Sequence, residues 1–384
     1  MMLTALSSVE FCTVISSDYP DIVRLAAFIA FVASILTIVV VFVIFYNRVA
    51  KLKARKIADE ADNIILEELG EHIFNYDSVD DIPEHELKAT VRTLNSLKNQ
   101  SSALRNSVVR LLVYFQKNLT GAVSRIVSSA YSRLRLREFA LRKLRSSYWF
   151  YKTQGLAEVQ AMKDDHSLPE VYKLLKDSNQ DVRVAAYTVL LRLKAKDCFD
   201  FMVKEPDELS DWHQIVLHDA MVKTEGLEIP DFKIYFSSEN TSIIFLSIKL
   251  IVDYKQFNAI PKLLSFLDHD DERVRNHLIM ALGQLQAENG EDRLIERYAA
   301  ESIKNKAAIL IALGRISSGL AVKFITEKFL EAEHFLVLKC AAAAIFSHPE
   351  PLREKILKDL PDLNNEQKAI LRHVAEPSNN YGIL

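Results

Sequence analysis

One stretch of this 384-residue chain returns further on. DSNQDVRVAAYTVLLRL at 177–193 reappears, altered, as DHDDERVRNHLIMALGQL at 268–285. With Val182 as zero, apolar residues fall at +3, +4, +7, +8 and +11 (Ala185, Ala186, Val189, Leu190, Leu193), one face of a helix with 3.6 residues per turn. The template moved on by 61, 92 and 123 residues selects Ile243, Leu246, Leu250 and Ile251, then Val274, Leu278, Ala281, Leu282 and Leu285, then Ala308, Ile309, Ala312, Leu313 and Ile316. The step is 31 residues, once doubled; the skipped register, at Trp212, is weaker. A period of this length restricts the chain to an array of like units, none able to bury its apolar face alone.

A second mark travels with the first. Pro169, Pro230 and Pro261 each lie 13 residues before template zero and each open a shorter helix. Proline is tolerated in a first turn, where its missing N–H would be unpaired anyway. In the first of these, Ser167 and Glu170 have capping-box spacing. Each unit reads as a short helix, a turn and a longer helix. Only 9 glycines and 10 prolines punctuate the chain, which suits long helices and argues against many strands.

Pro169 with Asp181-Val182-Arg183, and Pro261 with Val274-Arg275, resemble the short class of HEAT repeats, also called PBS-lyase HEAT-like. The resemblance covers about 140–350 and is most specific at 168–194 and 259–286. It implies an all-α fold: an α-solenoid of hairpins whose Val packs between layers and whose Arg bonds acidic or carbonyl groups of the neighbouring unit. Ile243-Ile244 and Asn305-Lys306 depart from the pattern, so a continuous arginine ladder is not expected.

Ahead of the array, residues 25–46 read LAAFIAFVASILTIVVVFVIFY without a charge, enough at 1.5 Å per residue to cross a hydrocarbon core of about 30 Å. Arg24 is the only base before it, whereas Arg48, Lys51, Lys53, Arg55 and Lys56 follow. The positive-inside rule then predicts an uncleaved single-pass anchor in the cell membrane, with residues 1–24 outside and the remainder cytoplasmic. Helical spacing of Val49, Leu52, Ile57, Ala61, Ile64, Ile65 and Leu69 predicts that the anchor runs on as an amphipathic helix to Gly70. An acidic loop, YDSVDDIPEHEL, precedes two further apolar stripes, at 104–115 and 119–134, so 47–145 reads as a helical stalk. The solenoid is expected over 146–350, with a polar helical cap and loose tail over 351–384.

No catalytic signature emerges. GRISSG at 314–319 has P-loop glycine spacing, but Leu320 and Ala321 stand where Lys and Ser/Thr are needed. His213 and His218 are five apart and splay around a helix; His277 falls on a core position, and Glu331, Glu333 and His334 read as a solvated turn. Cys12, Cys198 and Cys340 share no CxxC and suggest neither disulfides nor zinc. No cofactor, metal or small-molecule substrate is expected.

Two surfaces are candidates for binding. Arg133, Arg135, Arg137, Arg142, Lys143 and Arg145, followed by Tyr148, Trp149, Phe150 and Tyr151, form a basic and aromatic run suited to anionic lipid or an acidic partner. The alternative is a solvated helix face with its aromatics in the core. Position +5 of the longer helices is also apolar: Tyr187, Leu217, Ile248, Ile279 and Leu310. The resemblance puts these helices on the concave side, where an exposed row would dock a partner; wedged between neighbours, the same row would be core.

The expected function is a membrane-anchored cytoplasmic scaffold or adaptor for a protein partner. The likeness to membrane-anchored HEAT-like proteins implies an accessory subunit of a membrane enzyme, such as a polysaccharide glycosyltransferase. The family also contains bilin lyases, and HEAT-like DNA glycosylases exist, so a lyase and a nucleic-acid binder are the alternatives. Residues 1–156 hold 20 Lys and Arg against 15 Asp and Glu, net +5, leaving −8 of the total −3 for the remainder. That acidity argues against nucleic acid.

Overall fold

The computed structural model describes residues 21–76, 81–119 and 121–376. Most of the predicted N-terminal tail, Cys12, part of the acidic loop (77–80) and the tail after 376 lie outside the described residues. Within them the chain is built of α-helices and short 3₁₀ segments, with no strand. It forms two compact units, Met1–Arg142 and Lys143–Leu384. The division falls three residues ahead of the expected start of the repeats.

The first unit opens with one long helix, α1 (Asp21–Asn75), which continues five residues beyond Gly70. It includes one stretch long and apolar enough to cross a membrane by length and composition, with a mean hydropathy of 3.1. Past residue 46 the expected apolar stripe is mostly open: Ile65 is fully buried, whereas Leu52, Ile57 and Ile64 are exposed. The reason is that α1 meets the bundle only along its later part. There it packs on α3 (Ser102–Asn118), where Arg110 of α3 pairs with Asp62 at 2.6 Å. Helices α2 (Glu84–Gln100), α3 and α4 (Ala122–Arg133) complete the bundle, and α5 (Arg137–Leu144) crosses the division. Its core includes Leu104, Val108, Leu112, Ile126, Val127 and Ala130 from the two predicted stripes, joined by Leu87 and Leu94 of α2, which the stripes did not include.

The second unit is a succession of helix pairs. The longer members are α6 (Trp149–Met162), α8 (Gln180–Arg192), α10 (Asp211–Val222), α11 (Thr241–Asp253), α13 (Glu272–Gln284), α15 (Ile303–Ile316), α17 (Phe335–Phe346) and α19 (Asn365–Ala375). Each packs on the next. The shorter members are α7 (Leu168–Leu174), α9 (Phe201–Lys204), the 3₁₀ segment Phe232–Ser237, α12 (Ile260–Ser265), α14 (Glu291–Tyr298), α16 (Val322–Leu330) and α18 (Glu350–Asp359). The last pair continues the succession over the region expected as a cap and buries Ile356, Ile370 and Val374.

Local chemistry sets the period. Asn179, Ser210, Asn240, Asp271, Ser302, His334 and Asn364 each cap a longer helix by accepting a backbone N–H two or three residues on. Such caps satisfy donors that a helix start leaves orphaned. The caps place the weak register at His213, one residue after Trp212. The other ends recur as well: Lys163, Lys194, Lys255, Gln286 and Ser317 all have φ between 51° and 55°. At Lys194 the backbone makes a Schellman closure, its N–H donating to Leu191 O and that of Ala195 to Leu190 O.

Two sequence expectations change. Pro230 does not open an α-helix; the segment turns as 3₁₀, with Asp231 capping the N–H of Lys233. The Ser167/Glu170 capping box does not form. Ser167 Oγ donates to Asp164 Oδ2 at 2.7 Å, and Glu170 takes Arg145 instead. The glycines at 283 and 314 are packing features: a Cβ there would lie 2.6 Å from Ala312 Cα and Ala344 Cα respectively. They let α13, α15 and α17 approach backbone to backbone.

Candidate functional site

The apolar row is interior. Tyr187, Leu217, Ile248, Ile279 and Leu310 are each at most 3% exposed. Each of the five longer helices that carry the row packs on its predecessor and its successor, and the burial of position +5 shows that it faces protein and not solvent. As packed, the row offers nothing to a partner, and a docking stripe on it is not supported. Counted from the caps, Leu217 sits at +4.

Ion pairing divides the basic run. In the second unit Lys143 pairs with Glu158, Arg145 with Glu170 at 2.7 Å, and Lys152 with Asp177, so these cations clip adjacent helices together. Burial pushes the Glu158 carboxyl up, with Lys143 opposing it. In the first unit Arg133 lies 3.5 Å from Glu84, Arg135 is exposed at a turn with φ 52°, and Arg137 is half-buried. Arg142 stacks on Phe139, 4.1 Å from the ring centroid, where Arg105 (4.4 Å) and Lys98 (5.8 Å) also converge. Lys98 donates to Leu134 O at 2.8 Å, and burial holds its amine below the usual lysine range. The aromatics that follow are not core: Tyr148, Trp149, Phe150 and Tyr151 are between 41% and 62% exposed.

The arginines carried by the resemblance do bridge units. Arg183 forks onto Glu205 (Nε to Oε2 3.1 Å, Nη2 to Oε1 2.6 Å) while Nη1 donates to Asp177 O at 2.8 Å. Arg275 repeats the arrangement on Glu301 (2.8 and 3.1 Å) and His269 O (2.8 Å). Burial raises the Glu301 carboxyl, but bonds from Arg275, Asn305 and Arg297 outweigh it and leave it below the usual range. Ile244 and Lys306 occupy the corresponding positions elsewhere, so the ladder is interrupted, as expected.

Beside Glu205 the shorter elements shrink, and an open groove of about 570 Å³ results. Helix α9 is a single turn, ended at Glu205 because the residue before Pro206 is driven to extended backbone (φ −69°, ψ 116°). Its counterpart in the next pair is the 3₁₀ segment. The walls include Val203 (75% exposed) and Ile234 (58% exposed), with Glu208 and Glu239 at the rim. No basic side chain lines it. Sequence reasoning missed this groove, because it arises where a helix is too short, and the only signals were Pro206 and the lost apolar period.

No other constellation competes. Among the described residues no group of three His, Cys, Asp or Glu is placed to hold a metal. His213 and His218 face different neighbours, Asp181 (2.9 Å) and Asp253, and hold α10 to α8 and α11. His277 is exposed and not core; it stacks on Phe245 at 4.4 Å, and its Nδ1–H donates to Arg273 O at 2.7 Å. Cys198 and Cys340 are buried free thiols, the latter pushed up to about 11 by burial. Comparison with protein-family models and with characterised proteins finds no match.

Proposed function

We propose that the protein is a single-pass membrane-anchored adaptor. Residues 25–46 span the cell membrane with the N-terminus outside, and a cytoplasmic HEAT-like α-solenoid presents the groove to a partner. The uncharged 22-residue segment with its one-sided basic flank supports the anchor. Helix pairs each packed on the next, with two inter-pair arginine forks, support the solenoid.

The observation that carries the reading is the groove at the shortened pairs, with apolar walls, an acidic rim and no base. Its complement is a segment with apolar anchors and Lys or Arg. Cytoplasmic loops of membrane proteins are rich in those cations. The partner is therefore the cytoplasmic juxtamembrane segment of a membrane protein, with a membrane enzyme such as a polysaccharide glycosyltransferase as the specific candidate. Anchoring both chains in one membrane raises their effective concentration, so a modest groove suffices.

Photo-crosslinking tests this. A photoreactive residue at Val203, and separately at Ile234, in the full chain in native membranes should yield the same higher-mass adduct. Leu320, 80% exposed and away from the groove lining, should yield none. Absence of an adduct at both groove positions, or the same adduct from Leu320, contradicts the proposal.

A further inference from the structure

The Tyr148–Tyr151 cluster is the exposed apolar feature that neither the fold nor the groove uses. Its four rings form one contiguous patch, with centroids 4.1 Å apart for Phe150–Tyr151, 5.8 Å for Tyr148–Phe150 and 6.4 Å for Trp149–Phe150. Leu156, Val159 and Met162 bury the later turns of helix α6, whereas the four rings at its start stay exposed. Tyr148 holds the N-cap position without a side-chain cap bond, where each of the next seven longer helices has a capping side chain. Capping is forgone there and an aromatic is displayed instead. A contiguous exposed apolar patch in water marks a contact that covers it.

We infer that this patch lies in the lipid headgroup boundary and holds the first helix pair of the second unit against the bilayer. The inference rests on the anchor proposed above. Tyrosine and tryptophan combine an apolar body with a polar tip, the combination enriched where hydrocarbon meets water. Three acids of the first helix pair do not oppose an anionic surface, since Glu158, Glu170 and Asp177 are paired with Lys143, Arg145 and Lys152. Arg145, bonded to Glu170 at 2.7 Å, keeps 60% of its side chain exposed three residues before the patch. A second copy or a protein partner would cover the rings equally well but would not put them among acyl chains.

The chain has two tryptophans, Trp149 and Trp212, which makes the test direct. Trp212→Phe leaves Trp149 as sole reporter, and Trp149→Phe leaves Trp212. Each full-length variant is reconstituted into phosphatidylcholine vesicles with or without bromine on the acyl chains, and incorporation is checked by flotation. Trp149 should lose most of its emission in brominated vesicles, and Trp212 should keep it. Adding Tyr148→Ser and Phe150→Ser to the Trp212→Phe chain should restore much of the Trp149 emission. If the chain floats but Trp149 is unquenched, the inference is wrong and the anchor stands; a blue-shifted yet unquenched Trp149 means that protein covers the patch. Equal quenching of both tryptophans also overturns it, and a chain that does not float removes the anchor and the inference together.

Discussion

Arg183 reaches from one helix pair to the next and forks onto Glu205, with 5% and 0% of the two side chains exposed. The same carboxylate accepts the Tyr187 hydroxyl at 2.9 Å, so one interior row residue and one inter-pair arginine share an acceptor. That carboxylate sits at the edge of the groove, and its setting ties the groove's geometry to the stacking of the pairs.

Removing the cation should therefore be costly. Arg183→Leu leaves Glu205 buried without a counter-charge, and breaking such a pair costs about 3–5 kcal/mol. Denaturant midpoints of the full chain should fall for this variant. They should fall far less for Arg293→Leu, whose pairs with Asp268 and Glu296 are largely exposed and worth about 0–1 kcal/mol.

The glycine seam sets two principles against each other. Alanine at 283 or 314 would gain about 1 kcal/mol of helix propensity, but its Cβ would stand 2.6 Å from a neighbouring backbone carbon. Forced overpacking costs about 1–3 kcal/mol. We expect Gly283→Ala and Gly314→Ala to be destabilised, by thermal melting; stabilisation would show that the helices separate easily.

Helix ends give the opposite sign. Lys163 and Lys255 hold φ 51° in exposed turns. The left-handed region costs an L-residue roughly 1–2 kcal/mol that glycine avoids. Lys163→Gly and Lys255→Gly should each raise the denaturant midpoint, and Lys→Ala at the same sites should not.

Asp271 caps α13 and takes Arg273 at 2.7 Å, and that bond, chiefly, holds its carboxyl down at about 2. A depressed carboxyl stabilises the fold above its unfolded value of about 4, and that contribution is lost as pH falls from there toward 2. Asp271→Asn, which keeps a capping oxygen, should flatten this part of the acid-unfolding profile. Asp271→Ala should in addition cost about 1 kcal/mol at neutral pH.

The helical period was legible because the positions that repeat are the positions that pack: Val182, Ile243 and Val274 are all at most 1% exposed. The caps at 179, 210, 240 and 271 were not read from the sequence, and they shift the weak register by one residue. The helix ends were not readable, because lysine, glutamine and serine stand where glycine would announce a left-handed turn. Exposure of Tyr187 and its equivalents depends on what flanks each helix on both sides, which no single-helix pattern contains. The aromatic run was seen, but its side of α6 was not, since four adjacent rings cover every direction around a helix start. The groove escaped notice because it is a consequence of missing residues.

Charge reversal at the groove rim tests the central claim most directly. Glu208 and Glu239 are exposed and outside the core, so Glu208→Arg with Glu239→Arg should leave the melting temperature in place. With the photoreactive residue kept at Ile234, the double reversal should abolish the adduct formed in native membranes. An adduct of unchanged yield on the reversed groove would mean that no basic segment is held there.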